Sequence, residues 1–128
     1  MIEVPETIKL ECLEMQRFLE EKVSNDTNEL AERLGKTNIY LARSGMLLAE
    51  VKRMQDKEQK EVFDCYSEYI QGLKSTIASK FIEANLADVN YYVTWLDRLN
   101  RGFVHSGDNL RTLISFAKEE LKLQRSGY

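Results

Sequence analysis

Proline and histidine are almost missing from this chain of 128 residues, since each occurs only once, as Pro5 and His105. Proline breaks helices because it lacks a backbone donor, so its absence beyond position 5 leaves the remaining sequence free to be helical. A single histidine excludes a metal site built on several histidines. It also leaves no Cys–His or Ser–His pair with a clear orienting acid. We interpret His105 as an exposed surface residue.

Cysteine is scarce too, and the two that occur, Cys12 and Cys65, lack the CxxC spacing of a metal or redox site. We expect both to be small, buried or half-buried apolar residues. The sequence has no glycine-rich phosphate loop and no Glu-x-x-His motif of carboxylate-bridged metal centres. These absences predict a protein that is not an enzyme and that has no cofactor, no metal ion and no small-molecule substrate.

Long apolar runs are absent, and no signal peptide is recognisable. We therefore expect a cytoplasmic protein without a membrane partner. Hairpin dipeptides such as Asn-Gly and sustained apolar–polar alternation are missing as well, whereas Leu, Glu, Lys and Ala are common. The predicted fold class is all-α: one domain over residues 1–128, with three to four helices in an elongated, coiled-coil-like bundle.

The first break in the helical pattern comes early in the chain. An acidic N-terminal helix is predicted within residues 1–24, and the polar run that follows contains Asp26 and Thr27, both suitable N-caps. Glu29 lies three residues after Asp26, which is the spacing of a capping box. Residues 27–82 are then predicted to form long helices or a helical hairpin. The polar stretch 55–61 allows either continuous helix or a tight turn, and we favour the helix.

The last helix is predicted to be long, over residues 86–123, with Asn85 or Asp88 as its N-cap. Its apolar residues recur in steps of three and four, which keeps them on one side of a helix. The series passes through Ser106-Gly107-Asp108, which local rules would make a turn. A turn would give the spacing no reason to continue in phase beyond it. The series is Leu96, Leu99, Phe103, Ser106, Leu110, Leu113, Ala117 and Leu121.

Small residues in the second helix suggest close contact with another helix. Gly35, Ala42 and Ala49 are seven residues apart, and a glycine in mid-helix costs about 1 kcal/mol relative to alanine. Close packing would offset that cost, either within the chain or between subunits, and both alternatives remain open. The between-subunit alternative and the long last helix predict a homo-oligomer. The expected interface residues are Gly35, Leu41, Ala42, Leu48, Ala49, Leu99, Phe103, Leu110 and Leu113.

The net charge of −3 hides an asymmetry between the two ends of the chain. Residues 1–32 carry three basic and nine acidic side chains, whereas residues 33–128 carry fifteen basic and twelve acidic ones. Basic residues form stripes on two predicted helices. Such stripes are typical of solvated helix faces, but they also suit contacts with a phosphate backbone. The predicted nucleic-acid contacts are Arg43, Lys52, Arg53, Arg111, Lys118 and Lys122.

Aromatic residues cluster at the start of the last helix. Tyr92 and Trp95 lie near the apolar series and are expected to anchor a core or an interface. Tyr91 lies off that series, and its ring could stack on a base of single-stranded nucleic acid.

Three segments resemble small helical proteins encoded by bacteriophages and integrated elements. They are Trp95–Arg101, Asp108–Leu121 and Leu41–Ala49. In layout, residues 27–122 resemble the recombination mediators of the UvsY type. The family's basic Lys-x-Arg motif has its nearest counterpart here in the adjacent pair Lys52-Arg53. The resemblance implies an oligomer that binds single-stranded DNA and helps to load a recombinase.

Two functions are therefore expected. The first is a non-catalytic recombination mediator of a phage or mobile element, which binds single-stranded DNA without sequence preference. The second is a helical structural or adaptor protein of such an element, which acts through protein–protein contacts only.

Overall fold

The computed structural model describes residues 3–126, so residues 1–2 and 127–128 of the predicted ranges lie outside the described residues. Within the described part the chain has helices and no strand, which confirms the all-α prediction. Five helices are present there, rather than three to four. They are α1 (Glu6–Glu20), α2 (Thr27–Cys65), α3 (Ser67–Gln71), α4 (Ser75–Asn85) and α5 (Ala87–Arg125).

The beginnings of α1 and α2 follow the signals in the sequence. Helix α1 begins directly after Pro5, and Asp26 is the N-cap of α2. The Asp26 carboxylate accepts a hydrogen bond from the backbone N–H of Glu29 at 3.1 Å. This bond satisfies one of the free donors at the helix start. Helix α2 then runs without interruption through residues 55–61, as predicted.

Two breaks after α2 account for the extra helices. The chain leaves helical geometry at Tyr66 and again around Gly72, so α3 and α4 are separate short helices. The rings of Tyr66 and Tyr69 contact Phe81 edge-on, with centroids 5.3 and 5.1 Å apart. The apolar residues on either side of both breaks remain three or four positions apart in the sequence, and this spacing conceals the breaks.

Helix α5 passes straight through Ser106-Gly107-Asp108, as its apolar spacing predicts. Gly107 is buried, and a Cβ atom there would lie 3.9 Å from the Thr37 methyl group of α2. The prediction of its N-cap was wrong. Leu86 occupies that position, the Asp88 carboxylate accepts from the Val4 backbone N–H at 3.1 Å, and the Asn85 amide donates to the Phe81 carbonyl.

The two long helices, of 39 residues each, extend for about 57 Å and pack antiparallel. Gln55 donates to Asn90 at 2.6 Å near one end, while the Tyr40 and Phe103 rings stack at 5.5 Å further along. Between these points, the Asn100 amide donates to the Ser44 hydroxyl at 3.1 Å. Small buried residues such as Ser44 therefore let α5 approach α2 closely.

Helix α1 lies over one side of this helix pair and completes the core. It runs parallel to α5, and the Trp95 indole N–H donates to Gln16 at 3.0 Å. The core residues lie on α1, α2, α5 and the segment before α1, and are Val4, Ile8, Cys12, Met15, Phe18, Leu47, Val51, Val89, Leu96, Leu99 and Phe103. None of the helices in residues 3–126 is long and apolar enough to cross a membrane.

Candidate nucleic-acid interface

An open cleft of about 700 Å³ lies between α1 and α5. Tyr91, Trp95 and Arg98 follow one another at steps of four and three, so α5 presents all three on the same side. Gln16 and Leu19 supply the α1 wall. Because Trp95 is half-buried and hydrogen-bonded to Gln16, its ring is held in place.

The chemistry of the cleft suits a flat, polar-edged ligand. Tyr91 is 60% exposed, and its ring meets that of Trp95 at 5.8 Å in an edge-on arrangement. Arg98 is exposed at the margin of the cleft. An exposed aromatic ring can stack on a nucleic-acid base, and a guanidinium group lining the same cleft can neutralise a backbone phosphate.

Tyr92 has a different environment from Tyr91 although the two are neighbours. It packs against the core, and the Lys9 ammonium lies 5.8 Å from its ring centroid. Burial, and then the charge of Asp88, raises the pKa of Tyr92. Its hydroxyl therefore stays neutral at physiological pH, and the residue anchors α5 as the sequence suggests.

The six predicted phosphate contacts do not form one patch. Thr37 lies opposite Gly107, so Arg111 is level with a residue near position 33 of the antiparallel α2. Lys52 and Arg53 are therefore about 19 residues, or about 28 Å, further along the molecule. Arg111, Lys118 and Lys122 share one side of α5, where they follow the spacing of seven and four residues.

Ion pairs engage three of these six cations. Both carboxylate oxygens of Glu11 accept from the Arg43 guanidinium, at 2.8 and 2.9 Å. Arg111 pairs with Asp108 at 3.2 Å, and Lys122 pairs with Glu119 at 3.7 Å. The remaining three, Lys52, Arg53 and Lys118, are exposed. The acidic helix α1 therefore neutralises one basic residue of α2 directly.

The predicted interface residues fall into three groups. Leu99, Phe103 and Leu110 are buried within the chain itself. Leu41 and Leu48 are half-buried and pack against the core. The exposed group comprises Gly35, Ala42, Ala49 and Leu113.

The cysteines and the histidine form no site in residues 3–126, where no group of three metal-ligating side chains occurs. Cys12 is fully buried, and desolvation, with a smaller effect of the Glu11 charge, raises its pKa from 9.0 to about 11. Cys65 is exposed rather than half-buried. His105 is exposed, as expected.

Sequence reasoning missed the part that Arg98 and Gln16 play in the cleft. Arg98 could have been found, because its spacing from Tyr91 and Trp95 places it on the same side of a helix. Gln16 could not, because only the packing of α1 on α5 brings it to Trp95. Comparisons with protein-family models, with curated proteins and with solved structures find no match to this chain.

Proposed function

We propose that this protein binds single-stranded DNA without sequence preference and without catalysis, as a cytoplasmic, oligomeric recombination mediator of a phage or mobile element. The observation that supports this most directly is the open cleft that is lined by both the exposed Tyr91 ring and Arg98. Stacking on aromatic rings is tolerant of sequence because every base has a flat face. In the wider proposal, the bound protein helps a recombinase to assemble on the strand.

The cleft is tested by the fluorescence anisotropy of a labelled oligo-dT strand. Because stacking on one aromatic side chain contributes about 1–3 kcal/mol, Tyr91→Ala should weaken binding by about five-fold or more. Phe116→Ala is the matched control, since this exposed ring lies elsewhere on α5. Absence of binding by the unchanged protein at low salt would disprove the function. An equal loss of affinity in both variants would show that the cleft is not the binding site.

The phosphate contacts are tested by the dependence of binding on salt. Each phosphate contact of a single strand contributes about −0.7 to the slope of log K against log salt. Replacing both Lys118 and Lys122 by Glu should reduce the magnitude of that slope by about 1.4. Lys74→Glu with Lys80→Glu, which changes the net charge equally on exposed positions near or on α4, should leave it unchanged.

A second candidate function is that of an adaptor that works only through protein contacts. It is favoured by the ion pairs of Arg43, Arg111 and Lys122, which reduce the charge available for phosphate. The anisotropy experiment separates the two candidates, because an adaptor gives no binding to oligo-dT even at low salt.

A further inference from the structure

Helix α2 has an apolar stripe on the side that faces away from α5. We call it the back stripe, and its residues recur in steps of three and four: Glu32, Gly35, Ile39, Ala42, Met46, Ala49 and Arg53. All seven are exposed. The buried residues Thr37, Ser44 and Val51 point the other way, toward α5 and α1. The back stripe thus has the spacing of a helix–helix contact, and no other helix of residues 3–126 covers it.

The composition of the back stripe is not explained by the single chain. Ile39 is 69% exposed and Met46 is 53% exposed. A Cβ atom added at Gly35 would meet nothing within 4 Å, in contrast to Gly107, which packs against Thr37. Glycine at an exposed helix position costs about 1 kcal/mol relative to alanine. Close approach of another helix would use this missing side chain, and alanine at 42 and 49 serves the same contact.

The charges at the two ends of the back stripe identify the partner. Glu32 lies ten residues before Ala42, and Arg53 lies eleven residues after it. If a second α2 helix runs antiparallel with Ala42 opposite Ala42, Glu32 of each chain meets Arg53 of the other. Gly35 then faces Ala49, and Ile39 faces Met46. A parallel pair would instead place Glu32 against Glu32 and Arg53 against Arg53.

The residues that flank the back stripe on the α1 side show the same complementarity. Antiparallel pairing brings Lys36 to Glu50 and Glu29 to Lys57, and all four side chains are exposed. Arg43 alone would meet its own copy near the axis. Its charge is already compensated within the chain by the two-oxygen contact of Glu11. The acidic helix α1 therefore removes the one like-charge contact that this arrangement would create.

We propose that two copies of this chain form a homodimer in which the α2 helices pack antiparallel through the back stripe, about a two-fold axis near Ala42. The contact from Glu32 to Arg53 is about 32 Å long. It uses no residue of the cleft, so it stands whether or not the protein binds DNA.

Sedimentation analysis of the full chain tests the dimer. The unchanged protein should have twice the mass of one chain, and Ala42→Glu should convert it to a monomer because two carboxylates would face each other across the axis. Ala84→Glu, the same substitution at an exposed position of α4, should leave the dimer intact. A monomer at every concentration up to the solubility limit, or a dimer that tolerates Ala42→Glu, would overturn the proposal.

A charge exchange tests the register. Glu32→Arg and Arg53→Glu should each weaken the dimer, because each single change creates like-charge contacts. The double variant should recover most of the affinity, since it restores the two pairs with their signs exchanged. Two singles without effect, or a double variant weaker than both, would contradict the antiparallel register even if the protein is a dimer. Circular dichroism should show unchanged helix content throughout, since both positions are exposed.

Discussion

The two sides of α2 have the same residue spacing, but one side is buried within the chain and the other is exposed. The side facing α5 buries large and small residues alike, from Leu47 to Ser44, and Asn100 fills the space that Ser44 leaves. The back stripe combines small residues with two exposed apolar side chains, Ile39 and Met46. The comparison shows that periodicity identifies a helix contact, whereas only packing shows whether its partner belongs to the same chain.

Helix α5 shows the same contrast along its length rather than around it. The large apolar residues of its series are buried from Leu96 to Leu110, where α2 still covers them, whereas Leu113 and Leu121 are exposed. Phe116 and Leu123, on a neighbouring side of the helix, are 65% and 62% exposed. An unbroken sequence pattern can therefore run from a folded core into an uncovered helix end.

The largest difference between the two sides should appear on truncating neighbouring residues of α2. Leu47→Ala should lower the free energy of unfolding by about 2–5 kcal/mol, because it leaves a cavity in the core. Met46→Ala should change it by no more than about 0.5 kcal/mol, provided that the protein is dilute enough to be monomeric. Chemical denaturation of both variants measures this, and equal losses would show that the back stripe is packed within the chain.

Two glycines sharpen the same comparison. Gly35→Ala should stabilise the monomer by up to about 1 kcal/mol, because alanine is the better helix former and the new methyl group enters open space. Gly102→Ala should stabilise the monomer less, since the new Cβ would lie 3.0 Å from a methyl group of Leu19. Thermal unfolding at low protein concentration measures both. A larger gain at Gly102 would contradict the packing of α1 on α5.

The ion pair between α1 and α2 should contribute less. Glu11→Gln should cost about 0.5 kcal/mol, since Arg43 and Glu11 are 41% and 32% exposed and water screens the pair. The same change should weaken the proposed dimer, because it restores the charge of Arg43 near the axis. The control is Glu14→Gln, which is on α1 like Glu11 and alters the hydrogen bond that Glu14 accepts from Tyr40 of α2. A dimer insensitive to Glu11→Gln would argue against the assigned axis.

The two thiols compare a buried position with an exposed one without any mutation. Cys65 should react with a disulfide reagent within the dead time of mixing, and Cys12 only as the protein unfolds. The raised pKa of Cys12 also gives a pH dependence. The unfolded thiol ionises near pH 9.0 and the folded one near 11, so the contribution of Cys12 to stability is complete below pH 9 and declines as the pH rises toward 11. Rapid labelling of both thiols in the native state would contradict the buried position of Cys12.

Much of the fold could be predicted from local signals. The spacing in α5 outweighs the turn tendency of Ser106-Gly107-Asp108 because a continuous helix keeps Phe103 and Leu110, on either side of Gly107, buried against the rest of the chain. The Asp26 cap could be read from the sequence because capping is a contact between neighbours. The breaks at Tyr66 and Gly72 could not, since the apolar residues on either side of each break remain three or four positions apart.

The candidate site was less predictable, because it depends on contacts between distant segments. Spacing places Tyr91 and Arg98 on one side of α5, but only α1 makes that side a cleft. The ion pair of Arg43 with Glu11 joins residues 32 apart in the chain, so composition alone could not reveal that this cation is already engaged.

The direction of the α2–α2 contact is tested most directly by the distance between spin labels. A label at Ala31→Cys, with Cys65 replaced by Ser, lies eleven residues from Ala42 on an exposed side of α2. An antiparallel dimer centred at Ala42 separates the two labels by about 33 Å. Labels closer than about 20 Å would indicate parallel helices, whose axes lie about 8–10 Å apart, and the absence of any dipolar coupling would show that α2 does not pair.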